Sequence, residues 1–179
     1  MKKIRFFIDD QKEETWVNSM SQQGWDLVKF SPFVYTFTKG TNTNYVYRNE
    51  FVASHHDLAD YFSFLEGTGV EVVHTNKVWA YYRKEQQPNA PLFSLFTDSP
   101  SMLTYLKKRL TLFSFLVFLY LFIFVGLAVN SLGSVADESV FMNGILFTIL
   151  ILNATIVVLF GVMSLRLKSR IEILKHMTH

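Results

Sequence analysis

The chain has 179 residues, half of them hydrophobic, with 17 Lys and Arg against 15 Asp and Glu and no cysteine. The lack of cysteine excludes a disulfide framework, a thiolate metal site and a Cys nucleophile. Residues 1–90 carry ten basic and eleven acidic side chains, and residues 91–179 carry seven and four, so the first half lacks the basic stripe of a nucleic-acid-binding domain.

The opening MKKIRFFIDD holds an apolar stretch too short for a secretory signal and reads as a strand over 4–8. Asp9-Asp10 then starts a helix, with Glu13 at capping-box spacing from Asp10. Trp16, Val17 and Met20 form its apolar stripe, and Gly24 fits the left-handed residue that closes a helix. Strands follow over 25–30 and 33–39, joined by Ser31-Pro32.

The same phrase then returns. WVNSMSQQGWDLV at 16–28 and YFSFLEGTGVEVV at 61–73 align at an offset of forty-five, with eight of thirteen pairs alike in kind. The second copy reads as a strand over 45–52, then a helix start with Ser54 and Asp57 at capping-box spacing. Leu58, Tyr61, Phe62 and Leu65 lie at i, i+3, i+4 and i+7, one apolar stripe, and Gly69 closes that helix. Strands over 70–74 and 77–84 complete it, with Thr75-Asn76 as a hairpin turn.

The fold class expected is therefore α+β: a duplicated strand-helix-strand-strand, ferredoxin-like domain over 1–86, with repeats at 1–44 and 45–86. One unit alone leaves a sheet face it cannot cover. Two units are expected to join edge strands into one antiparallel sheet with both helices on one face.

A linker over 87–99 begins at the Pro-containing run after Gln86 and carries Phe93, Leu95 and Phe96, apolar bulk for the bilayer interface or for the domain. Ser99-Pro100 reads as a helix start, with Ser as cap and Pro at the first helical position. Residues 110–136 and 139–165 are two runs of twenty-seven without a charge. About 20 apolar residues cross a bilayer, so a membrane hairpin is expected within 100–175, with spans at 110–132 and 140–165. Lys107, Lys108 and Arg109 precede the first span, Arg166, Lys168 and Arg170 follow the second, and the loop between carries only Asp137 and Glu138. The excess of cations at the outer ends predicts both termini in the cytoplasm. Leu167, Ile171 and Leu174 make the tail amphipathic, able to meet the 100–109 segment in a stalk. Asn153, mid-span, is expected to bond Tyr120, its own backbone or a second copy.

The strands are rich in aromatics. Trp25, Tyr35, Phe37, Tyr45, Tyr47, Trp79 and Tyr81 pack the core or line an aromatic groove between repeats, with Glu50 and His74 as polar contacts. Such a groove would suit a flat or cationic amphipathic molecule. His55-His56-Asp57 is the one cluster resembling metal ligands, but adjacent histidines at a helix start point apart, and an exposed helix end is the better reading. No metal site, catalytic motif, phosphate loop or cofactor is indicated, and no enzyme is expected.

Trp16, Gly24-Trp25, Leu27, Tyr35-Thr36-Phe37, Tyr45-Val46-Tyr47-Arg48, Tyr61, Phe64-Leu65, Gly69, Trp79 and Tyr82-Arg83 together resemble a bacterial domain of unknown function, the family numbered 2812, over roughly 4–84. The chain departs from that pattern at Val70, where an aromatic usually follows the second Gly. The resemblance implies a membrane-bound cytoplasmic domain, often in firmicutes beside PadR-type repressors, and brings no catalytic residues. The unit is also similar, at fold level, to the duplicated domains of gyrase-inhibitor-like proteins, some of which bind amphipathic drugs. The function expected is a sensory or regulatory membrane protein, in contact with the lipid bilayer, whose cytoplasmic domain binds a protein partner such as a transcriptional repressor, or a second copy. The alternatives are a binding module for amphipathic small molecules and an accessory subunit of a transporter.

Overall fold

The computed structural model describes residues 1–31, 33–40, 45–53, 55–87, 90–96, 98–134 and 140–177. Two compact units divide the chain, Met1–Thr97 and Asp98–His179.

The first unit begins with strand β1 (Lys2–Ile4), two residues earlier than the 4–8 expected. Phe7 leaves the strand line to pack against the core. Helix α1 (Asp10–Gln22) is capped by Asp9, not Asp10: the Asp9 carboxylate accepts the N–H groups of Gln11 at 3.0 Å and Lys12 at 3.4 Å. That satisfies donors no helical carbonyl can reach. Val17 and Met20 are its buried stripe, and Gly24 ends it at φ +80, a conformation open to residues without a Cβ. Strands β2 (Trp25–Ser31) and β3 (Val34–Lys39) follow. The second half has strand β4 (Tyr45–Phe51), helix α2 (Leu58–Gly67), strand β5 (Glu71–Thr75) and strand β6 (Trp79–Glu85). Asp57 caps α2 through the N–H groups of Ala59 and Asp60, and Ser54 lies outside the described residues, as does Pro32 of the first expected turn.

The strands form two three-stranded antiparallel sheets, ordered β1-β3-β2 and β4-β6-β5. This corrects the single sheet expected. β2 and β5 lie near one another, but each slips register, between Leu27 and Lys29 and between Val72 and His74. A bulge twists an edge strand and breaks its pairing rhythm, which accounts for a seam where a ladder was expected.

The two helices also serve different cores. Val17 and Met20 of α1 pack with Leu27, Phe30, Tyr35 and Phe37 of the first sheet and with Tyr47 and Tyr81 of the second. Leu65 of α2 packs with Val52, Val70, Ala80 and Tyr82, flanked by Phe93 and Leu95 of the linker. Successive residues of a strand point to opposite faces, so Tyr81 serves one core while Ala80 and Tyr82 serve the other. The second sheet is buried on both faces, and the helices do not share one.

In the second unit, helices α3 (Ser99–Ser134) and α4 (Val140–Met177) run antiparallel. The cap of α3 is Asp98, whose carboxylate accepts the Ser101 N–H at 2.8 Å, so Ser99 and Pro100 fall one position deeper than expected. That bond holds the Asp98 carboxyl below its ordinary pKa. Both helices are long and apolar enough to cross a membrane, and only 6% of each apolar window is buried. A soluble core helix would be mostly buried, and these windows are not. Beyond the spans the helices continue, and Leu106, Phe113, Leu167 and Ile171 form a packed cluster with Met102 and Leu174 beside it. That is the stalk the amphipathic tail implied.

Candidate functional site

Of the eight residues singled out as a site, four fill one core. Tyr35, Phe37, Tyr47 and Tyr81 are at most 5% exposed. Trp16 meets Tyr35 and Phe37 edge-on at 5.0 and 5.5 Å, and Phe30 meets Tyr81 at 4.9 Å. These are favourable core geometries for aromatic rings, and core packing accounts for the residues. Trp25, Tyr45 and Trp79 border that core, half-buried. Arg83 lies over the Tyr45 ring at 4.3 Å, and Trp79 meets Phe51 edge-on at 5.4 Å. Glu50 is apart from the other seven, on the face of β4 turned to α2.

Three carboxylates hold the hydroxyls of the buried tyrosines. Glu13 Oε1 accepts Tyr35 and Tyr81, both at 2.7 Å. Glu50 Oε2 accepts Tyr61 at 2.8 Å and Tyr82 at 3.0 Å, and His55 Nε2 stands 3.3 Å from Oε1. Asp26 Oδ1 accepts Tyr47 at 3.3 Å, with Arg83 3.9 Å from its second oxygen. Arg83 itself grips Glu71 through two bonds of 2.8 Å. A buried phenol needs a partner, and a carboxylate can serve two. Burial, then the charge of Glu13, raises the pKa of Tyr35 and of Tyr81. Burial pushes Tyr47 up to about 12, with Asp26 adding to the rise and Arg83 opposing it. His74, the other polar residue proposed, is driven below its ordinary pKa by burial and then by Lys29.

The open edge of the second sheet is sealed by a helix, which the sequence did not disclose. Tyr47 donates its N–H to Asn18 Oδ1 at 2.7 Å, and Asn18 Nδ2 donates to the Tyr47 carbonyl at 3.0 Å. Asn49 donates its N–H to Glu14 Oε1 at 2.9 Å. Glu14 and Asn18 are one helical turn apart and Tyr47 and Asn49 alternate along the strand, so the two periodicities meet along β4. The signal was there as polar residues at helix spacing beside an apolar stripe, but nothing in sequence says which strand they face.

The first sheet has no such cover among the described residues. All three residues of β1 are exposed, and Ile4, Phe6 and Phe33 are 79%, 55% and 51% exposed. On α2, Phe64 is 67% exposed beside Asp60 and Glu66. At the helix start, His55 stacks on Tyr61 at 4.2 Å and Asp57 caps α2. No group of three potential ligands for a metal ion occurs among the described residues.

Fold and surface define an α+β unit joined to two apolar helices of membrane-spanning length. A family described as "Protein of unknown function (DUF2812)" matches residues 9–119, more than half the chain, and the chain belongs to that family. The match runs from the start of the first helix into α3. No curated protein and no solved structure gives a significant match.

Proposed function

We propose that this is a membrane-anchored regulatory protein of bacterial type whose first unit binds a partner protein and catalyses nothing. The first unit is read as a ferredoxin-like duplication. Both halves run strand, helix, strand, strand, with equivalent sheet orders. Their bulges, at 27/29 and 72/74, and their helix-closing glycines, at φ +80 and +78, lie forty-five residues apart. Lys107, Lys108 and Arg109 before one span and Arg166, Lys168 and Arg170 after the other support cytoplasmic termini. The engagement of Glu13, Glu50 and Asp26 by tyrosine hydroxyls supports a structural use of these acids over general acid or base work.

The observation that carries the binding role is Phe64. It stands 67% exposed on a helix whose Leu65 is buried and whose Tyr61 and Phe62 pack on the core. Asp60 and Glu66 flank it, and no cation lies between residues 57 and 70. An exposed aromatic within an acidic helix face suits a basic partner surface with an apolar pocket. A transcriptional repressor is one such partner and fits the PadR association that the resemblance implies. The test is a photo-crosslinking phenylalanine at position 64 of the full chain in native membranes. A discrete protein adduct, weakened by Asp60→Lys with Glu66→Lys, is expected. A repressor in that adduct supports regulation, and a transporter subunit supports the accessory role. Absence of any adduct overturns the binding surface.

A further inference from the structure

We infer that the uncovered face of the first sheet is a docking surface for an anionic lipid leaflet. The two sheets are built alike but finished differently. In the second sheet, Asn49 pairs with Tyr81 and Phe51 with Trp79, and Tyr81 and Phe51 on that face are buried. At the topologically matching positions of the first sheet, Lys2 pairs with Thr36 and Ile4 with Val34. Residues directly opposite in a ladder share a face. The face that carries tyrosine and tryptophan in one sheet therefore carries lysine, threonine and aliphatic side chains in the other.

The chemistry of this face is basic and apolar together. Lys29 pairs with Thr36 from the other side, adding a second lysine to the face, while Lys3 pairs with Tyr35 and Arg5 lies over the Trp16 ring at 5.0 Å, both on the core side. The first eight residues contain no acid, and the one acid in the three strands, Asp26, is buried against Tyr47 and Arg83. Ile4, Phe6 and Phe33 supply apolar bulk, the last two with rings 5.3 Å apart. Phe33 holds this place at φ +69, in the left-handed region that disfavours a bulky side chain. Apolar side chains that enter the headgroup region among lysines that reach to the phosphates are the arrangement an interfacial surface uses. A protein partner would need an acidic surface of matching shape, whereas a leaflet requires only charge and shallow apolar contact. This inference rests on the membrane reading of the two apolar helices, which keep the bilayer on the same chain.

The absence of cysteine allows a clean test. Full-length protein carrying Ile4→Cys, labelled with an environment-sensitive fluorophore, is placed in nanodiscs containing spin-labelled lipid, with Ser63→Cys on α2 as the comparison. Each basic residue at an anionic surface contributes roughly fivefold in partition. Position 4 is expected to be quenched several-fold more in phosphatidylglycerol discs than in phosphatidylcholine discs, and position 63 alike in both. Lys2→Glu with Lys29→Glu is expected to return position 4 to the phosphatidylcholine level. Equal quenching of position 4 in the two lipids overturns the inference, as do equal quenching at both positions and a protein adduct from a photo-crosslinker at position 4. Carbonate extraction separates the two failures: a chain that stays in the membrane without lipid contact at position 4 sinks only the leaflet surface, and a chain that washes out sinks the membrane reading.

Discussion

Asn18 and Tyr47 exchange two hydrogen bonds, of 2.7 and 3.0 Å, across the gap between a helix and a strand edge. The amide of one side chain thus presents to β4 the donor and acceptor that a neighbouring strand would have offered. Strand edges left with open donors and acceptors recruit other chains, and here the seal comes from within the repeat pair. Tyr47 is fully buried, so water cannot readily replace the lost partner. Asn18→Ala is expected to cost about 1–3 kcal/mol, since the Tyr47 N–H loses its acceptor while the Tyr47 carbonyl keeps the Arg48 guanidinium at 3.0 Å. Asn18→Asp keeps the acceptor but sets a carboxylate against the Tyr47 carbonyl, and should not rescue. Urea unfolding of the detergent-solubilised chain reads this through tryptophan emission, because Trp16, Trp25 and Trp79 all lie in the first unit. A loss below about 1 kcal/mol would mean that the edge does not need the helix.

The acid–tyrosine clusters predict a weakness toward base. Tyr35, Tyr47 and Tyr81 all have pKa values raised above the ordinary value, Tyr47 to about 12 and chiefly by burial. An unfolded tyrosine ionises near pH 10, so above that pH the unfolded chain releases protons that the native chain keeps. The stabilisation is complete below about pH 10 and falls as pH rises through 10 toward about 12. Stability should therefore drop steeply above pH 10, with these phenols ionising later than ordinary tyrosines in an absorbance titration. Glu13→Ala, which takes the acceptor from two tyrosine hydroxyls, should cost about 2–4 kcal/mol, and Glu13→Gln, which keeps an acceptor, clearly less.

His74 sets the opposite limb. Burial and Lys29 lower its pKa, and its Nδ1 is buried without a hydrogen-bond partner among the described residues. The unfolded imidazole gains a proton near pH 6.5, while the native one resists. The stabilisation is present above about pH 6.5 and is lost as pH falls below it. His74→Leu should flatten the stability profile between pH 7 and the folded pKa, as read by thermal melts at stepped pH. An unchanged profile would assign the acid sensitivity to other groups.

How much of this was legible in the sequence depends on the range of the interaction. The helical hairpin was legible because two runs of twenty-seven uncharged residues are long enough for two helices of membrane-spanning length. Helix ends were legible where one residue decides them: Gly24 and Gly69 sit at positive φ. The caps moved by one residue, from Asp10 to Asp9 and from Ser99 to Asp98, because several acceptors stood side by side and geometry selected one. The sheet count was not legible. Bulges at Leu27/Lys29 and Val72/His74 leave no mark in alternating apolar residues, yet they divide one expected sheet into two. Nor was the site. Alternation leaves Tyr35 and Tyr81 either in the core or in a groove, and only the position of Glu13, a helix away, shows that their hydroxyls turn inward.

Asn153 carries the last prediction. The residue is buried in the hairpin, and its Oδ1 has no hydrogen-bond partner among the described residues. Tyr120, one partner expected from sequence, instead stacks on Phe160 at 6.1 Å. An unsatisfied amide oxygen in an apolar surround is costly, while a partner supplied across a membrane interface is worth about 0.6–2 kcal/mol. If the single hairpin is the working form, Asn153→Leu removes the penalty at similar volume, and the detergent-solubilised chain should be at least as resistant to thermal loss of helicity. A second copy bonding Asn153 would reverse the sign. The variant would then lose stability, and its apparent mass in detergent would fall. Measuring both quantities on the same pair of proteins distinguishes an amide tolerated within one chain from an amide that joins two.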